Sequence, residues 1–142
     1  MITFFIAAAL TASSLETYKN DKSGYSFDYP VSWMVNQKLN PFDVVIYHDQ
    51  DANFSVISGP LPEDITLDIY TSENLKGLER NKSIKDLKKE TIEINGKPAI
   101  KIQYLKEDDN AIITHYFLIL DHTAYLITTG AKSSENDKYL DT

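Results

Sequence analysis

The sequence predicts an α+β fold in which an antiparallel sheet is covered by helices. Three observations lead there. Aromatic and β-branched residues alternate with polar ones at period two through most of the chain; one stretch alone changes to a spacing of three to four; and the links between alternating runs are short enough for hairpins.

At 142 residues the chain has room for one domain. Its 42% hydrophobic and 25% charged residues place it among globular proteins rather than disordered ones. Fourteen basic residues against 21 acidic leave a net charge of −7. That is the wrong sign for displacing phosphate counterions, so nucleic acid is not an expected partner. No cysteine occurs, which removes a disulfide scaffold, thiolate zinc ligation, a catalytic thiol and a lipid-modified N-terminal cysteine.

Along the chain, Ile2 to Leu10 is an uncharged apolar run followed by the small polar stretch Thr11 to Ser14. This is the pattern of a secretory core and cleavage region, and it is too short for a membrane span of about 20 residues. The positive stretch that usually precedes such a core is missing, and a buried N-terminal strand or helix is the alternative. The expectation is a signal remnant over 1–14 and a single domain over 15–142. Tyr25, Phe27 and Tyr29 then share one face of a strand that Pro30 ends, and Trp33 to Val35 continues after the turn. The apolar runs Val44 to Tyr47 and Phe54 to Ser58 flank a polar break, so 43–58 reads as a hairpin. Gly59 to Pro62 stops the sheet pattern.

Leu67, Tyr70, Leu75 and Leu78 recur at helical spacing, with Thr66 as N-cap and Asp68 in the first turn, which predicts one amphipathic helix over 66–81. Gly77 weakens it by up to about 1 kcal/mol. Ile92 and Ile94 precede Asn95-Gly96, and Ile100, Ile102 and Tyr104 follow. Asn-Gly between alternating strands predicts a type I′ turn, with Pro98 placed near the turn, where a lost donor matters least. Residues 107–110 turn the chain into Ile112 to Leu120, apolar on both faces and therefore a central strand. Tyr125 to Thr129 follows, with Gly130 expected to end it. Ser134 with Asp137 resembles a capping box, but the chain stops at Thr142, less than three turns later. The expectation is a domain truncated at its C-terminus.

Gly24-Tyr25-x-Phe27-x-Tyr29-Pro30-x-x-Trp33, the apolar strand pair and the helix form the first part of a recognisable order. Asn95-Gly96-x-Pro98-Ala99 leading to Tyr104, and Tyr125-Leu126 before a terminal helix, complete it. In order and spacing this resembles the PsbP-like family over roughly residues 18–142. The resemblance implies an α-β-α sandwich around a central antiparallel sheet. Its best-known members are thylakoid-lumen subunits that support calcium and chloride retention at the oxygen-evolving centre of photosystem II. Others are bacterial periplasmic or secreted proteins, and the fold also serves as a nuclear import factor and a secretion-effector chaperone. The first family-like strand begins within a few residues of the expected cleavage region, which argues against photosystem docking through an N-terminal extension, and the expected truncation falls on the family's closing helix and final apolar strand or tail.

Few residues suggest chemistry. His48 beside Asp49 and Asp51 at a hairpin tip is a weak metal site. Asp108 and Asp109, with Glu107 and Asn110, are hard oxygen ligands for calcium, but without the alternation and glycine of a calcium loop; Asx turn chemistry explains them equally. His115 is expected on a strand with an outward imidazole, and Trp33 in the core. No Gly-x-Ser-x-Gly elbow or phosphate-cradling glycine loop is present. One patch opposes the overall charge: Lys76, Arg80, Lys82, Lys85, Lys88 and Lys89, a docking face for an acidic partner or anionic lipid, or else a solvated helix end and loop. The functional expectation is a monomeric, non-enzymatic, extracytoplasmic accessory protein that acts by binding another protein, at the membrane periphery or free of it, without a cofactor. A photosystem II luminal subunit and an adaptor or chaperone of the same fold are the alternatives.

Overall fold

The computed structural model describes residues 2–5, 14–48 and 52–132, with the backbone alone at positions 2, 4 and 5. Strands β1 (Ile2–Phe5), β2 (Leu15–Asn20) and β3 (Tyr25–Pro30) make a small sheet in the order β1-β3-β2. In it β1 runs parallel to β3, and β2 antiparallel. The remaining strands are β4 (Met34–Asn36), β5 (Val44–His48), β6 (Ala52–Pro60), β7 (Ile84–Ile94), β8 (Lys97–Lys106), β9 (Ala111–Leu120) and β10 (Thr123–Lys132). They form one antiparallel sheet in the order β4-β5-β6-β10-β9-β8-β7. Helix α1 (Leu67–Glu79) connects β6 to β7, two strands that lie four places apart.

Local chemistry makes the turns. Asn95 and Gly96 hold φ of 52° and 77°, the two positive values that a type I′ turn demands. Replacing Gly96 by alanine is expected to cost about 1–2 kcal/mol through left-handed strain alone, since nothing lies within 4 Å of the added methyl; urea unfolding measures it. Asp121 and His122 repeat the geometry between β9 and β10, with φ of 49° and 61°. The β8–β9 link is a 3₁₀ turn, Glu107–Asp109, closed by Asn110 at φ 47°. Thr66 caps α1 as expected, its hydroxyl accepting from the Ile69 N–H at 3.2 Å.

The large sheet is covered on both faces. On one, Leu67, Tyr70, Leu75 and Leu78 of α1 pack on Ile100, Ile102, Tyr104 and Phe117. On the other, Tyr25, Phe27 and Tyr29 of the small sheet pack on Val44, Ile46, Phe54, Val56, Leu118, Tyr125 and Ile127. The Phe27 and Phe54 rings meet at 4.8 Å and 60°, an edge-on arrangement that suits their quadrupoles. The α+β class with a mainly antiparallel sheet is as expected. Of the two helical layers, α1 is one; the helix expected from Ser134 lies outside the described residues.

Three details depart from the sequence reading. Residues Ile84 to Glu90 are not loop but the first part of β7, whose apolar Ile84 and Leu87 pack toward α1. Gly130 does not end a strand: β10 runs through it to Lys132. A methyl there would meet Ile113 Cδ1 at 3.0 Å and the Asn53 amide at 3.2–3.3 Å, so its role is close packing rather than chain reversal. Similarly, β6 continues through Gly59 to Pro60, paired to Thr123; a proline is tolerated at the end of the ladder. Within the run Ile2 to Leu10 the described residues form strand β1, the alternative kept open beside the signal remnant. As expected, β9 is paired on both sides, with Phe117 and Leu118 buried on opposite faces.

Candidate protein interface

Two polar clusters lie between the layers. Asp43, just ahead of β5, accepts at one carboxylate oxygen from the Tyr25 hydroxyl at 2.8 Å, the Ser58 hydroxyl at 2.5 Å and the Asn20 amide at 3.5 Å. Ser58 Oγ is also 2.6 Å from Ser23 Oγ, and Tyr125 donates its hydroxyl to the Ser23 carbonyl. The cluster fastens the β2–β3 hairpin to β6 and β10 of the large sheet. Burial and the Asp43 carboxylate push the Tyr25 hydroxyl far above the ordinary tyrosine range, so it stays a neutral donor. Asp43→Ala is expected to destabilise by about 1–3 kcal/mol, because it removes the charged acceptor that two partly buried hydroxyls share; Asp43→Asn, which keeps one acceptor oxygen, should lose less in the same urea titration.

The second cluster was not foreseen. His115 does not project freely from β9. Its Nε2 is 2.9 Å from the Tyr104 hydroxyl and its Nδ1 is 2.8 Å from the Thr128 hydroxyl, while its ring lies 6.0 Å from Phe117 on the face that α1 covers. Burial pulls its pKa down from the usual 6.5 to about 4. The alternation of Ile113, His115 and Phe117 was the available signal, since it puts the imidazole on the same face as two large apolar residues.

Of the candidate metal groups, His48 and the Asp108–Asp109 pair lie on separate elements. His48 ends β5 with its ring 5.7 Å from Trp33, which is buried as expected; Asp49 and Asp51 lie outside the described residues. Asp108 and Asp109 sit exposed on the 3₁₀ turn, where Asp109 pairs with Lys106 at 3.0 Å. Among the described residues no three His, Asp or Glu side chains are placed to share an ion.

The basic residues divide between two elements. Lys76 lies in the last turn of α1, paired with Glu73 at 3.2 Å, and Arg80 caps that helix. Lys82 is in the following turn, and Lys85, Lys88 and Lys89 are on β7. A bulge separates Lys85 from Lys88, with Asp86 at φ 56°. Lys88 pairs across the ladder with Gln103, and Glu90 with Lys101. With Lys89 these line a groove of about 280 Å³. Lys101 lies outside the Lys76–Lys89 run and joins the groove only through the β7–β8 register. Its Nζ is 3.6 Å from Glu90 Oε1.

A seven-stranded antiparallel sheet with a helix on one face, joined to an aromatic N-terminal hairpin, is a fold this chain shares with a cyanobacterial PsbP. The solution structure of CyanoP, the cyanobacterial PsbP of Synechocystis sp. PCC 6803, superposes with a TM-score of 0.71 at 20% identity, covering 91% of this chain and 86% of CyanoP. A Pseudomonas aeruginosa protein of unknown function, PA94, superposes with a TM-score of 0.52 at 15% identity, over 89% of this chain and 88% of that one. In sequence, CyanoP of Synechocystis sp. is 36% identical over 78 residues, 47% of this chain and 42% of CyanoP, so the aligned part spans less than half of that relative. No family model matches the chain. The two likenesses to CyanoP, one of sequence and one of fold, support the PsbP-like family assignment.

Proposed function

We propose that the chain is an extracytoplasmic, non-enzymatic PsbP-like accessory protein that works by binding another protein. The fold likeness to CyanoP over nine-tenths of the chain carries this reading. The use of the polar groups supports it: Asp43, Tyr25, Ser58 and Asn20 are consumed in joining the two sheets, and His115 is held by two hydroxyls beneath α1 rather than presented in a cleft. An arrangement of this kind stiffens a scaffold whose surface does the recognition. The complete layering, with a second helix following β10, belongs to the same reading.

Affinity purification of the protein from its own cells tests it. A stoichiometric protein partner is the expected result, and a chain recovered alone at low salt would refute the binding role. The likeness to CyanoP favours photosystem II as the assembly concerned, and this second reading separates cleanly from the first. It requires co-fractionation with thylakoid membranes and release in high salt, whereas a partner from a non-photosynthetic envelope would exclude it.

A further inference from the structure

Charge is distributed very unevenly along this chain. Nine of the 14 basic residues fall between positions 76 and 106, together with only four of the 21 acidic ones. The fold gathers that segment at one end, as the C-terminal part of α1 and the strands β7 and β8, with β7 the last strand of the sheet. The bulge after Lys85 interrupts the ladder, and beyond it Lys88 to Ile94 pairs in unbroken register with β8. Among the described residues this stretch has a strand on one side only. Its outer backbone groups form a template about as long as an average strand.

Side chains give this edge a sign. Lys88 and Lys101 lie on the face opposite α1, and Lys89, one residue on, lies on the α1 face, so ammonium groups stand above and below the edge. Lysines on an edge normally discourage pairing with another strand. The discouragement depends on the incoming charge: it repels basic strands and leaves apolar ones without compensation, but it favours one carrying carboxylates. Among the described residues, the large exposed apolar side chains (Leu15, Val31, Met34, Leu39 and Ile69) lie on none of this surface. A concave groove with a glutamate among its lysines also suits a discrete acidic segment better than a diffuse lipid surface, which would favour apolar residues beside the cations.

We propose that the β7 edge and the groove beside it bind an acidic, extended segment of a partner protein, which adds to the large sheet as a further strand. Main-chain bonds to Lys88 through Ile94 supply affinity, and Lys88, Lys89 and Lys101 select carboxylates at alternating positions. The proposal rests on the protein-binding role stated above and specifies where that binding occurs and the chemistry of what binds.

The test uses the purified chain and a fluorescent peptide of alternating glutamate and valine, about ten residues long, followed by anisotropy. Binding should weaken with added salt, and should fall at least about tenfold, or about 1.4 kcal/mol, in the Lys88→Glu, Lys101→Glu variant. Lys88→Gln with Lys89→Gln, which leaves the Lys101–Glu90 pair intact, should fall in the same direction. Lys19→Glu with Lys22→Glu, an equal change of charge away from this edge, should bind as the unaltered chain does. A peptide N-methylated at alternate amides has the same charge but cannot continue a ladder, and should also lose at least about tenfold. Equal binding of the two peptides, or undiminished binding by the charge-reversed chain, overturns the proposal. So does peptide binding that is absent while phosphatidylglycerol vesicles bind through the same lysines. A native partner still captured by the charge-reversed chain would overturn this location and leave the protein-binding role standing; no partner captured by the unaltered chain would remove that role itself.

Discussion

Phe27→Ala is expected to lower the unfolding free energy by about 3–5 kcal/mol, the range for emptying a fully buried aromatic site. Phe27 is completely buried and faces the rings of Tyr18 at 5.2 Å, Tyr29 at 6.3 Å and Phe54 at 4.8 Å. Two of these rings belong to the small sheet and one to the large, so the cavity would open at the seam between the two. The loss is a large fraction of the 5–15 kcal/mol typical of a whole domain. Urea unfolding followed by tryptophan fluorescence is a suitable measurement, because Trp33, the sole tryptophan, lies in the same cluster. Phe27→Leu, which refills part of the volume, should recover much of the difference. If Phe27→Ala cost less than about 1 kcal/mol, the small sheet would not be an integral layer of the core.

Acidification should destabilise the protein through His115. An unfolded histidine takes up its proton near pH 6.5, whereas in the folded chain burial delays protonation to about pH 4. Between those values the unfolded state binds the extra proton, so stability rises with pH across the window and is lost as pH falls. At the bottom of the window the accumulated loss is about 3 kcal/mol, at 1.36 kcal/mol per unit. The geometry explains the direction: a neutral imidazole is satisfied by the hydroxyls of Tyr104 and Thr128, each of which can donate or accept, and among the described residues no carboxylate is bonded to the ring. His115→Gln removes the titrating group and keeps polar atoms for the same hydroxyls. Unfolding free energies measured at about pH 7 and about pH 4.5 should therefore fall less steeply for the variant. Carboxylates elsewhere titrate in both proteins and cancel in the comparison; parallel pH profiles would show that His115 is solvated in the folded state.

Much of the architecture is legible in the sequence. Period-two alternation located β3, β5, β6, β8, β9 and β10, because a half-buried strand must separate apolar from polar residues at every second position. Thr66 and the spacing of Leu67, Tyr70 and Leu78 located α1, and Asn95-Gly96 its neighbouring hairpin. These are local constraints, each met within a few residues. The beginning of β7 escaped notice because Lys85 to Glu90 is charged on both faces at a sheet edge, where solvent reaches both sides and no alternation is needed. The Asp121-His122 turn was visible as a reversal but not as a positive-φ pair, since it has no glycine.

The candidate sites show the same division. The six basic residues between Lys76 and Lys89 were apparent as a cluster of charge, and their outward position follows from the cost of burying an ammonium group. Lys101 joins Lys88 only through the β7–β8 register, and Asp43 meets Tyr25, Ser58 and Asn20 from four separate segments. An outward His115 is what its strand position alone implies, because the helix that packs on its face is more than 30 positions away in sequence. Composition, charge sign, strand and helix positions, turn chemistry and family likeness were thus determined by the sequence itself, through interactions between near neighbours. Which strand became the sheet's edge, which carboxylate joined its two layers and which histidine lost its water were decided only by tertiary structure, because burial and register depend on residues brought together from distant parts of the chain.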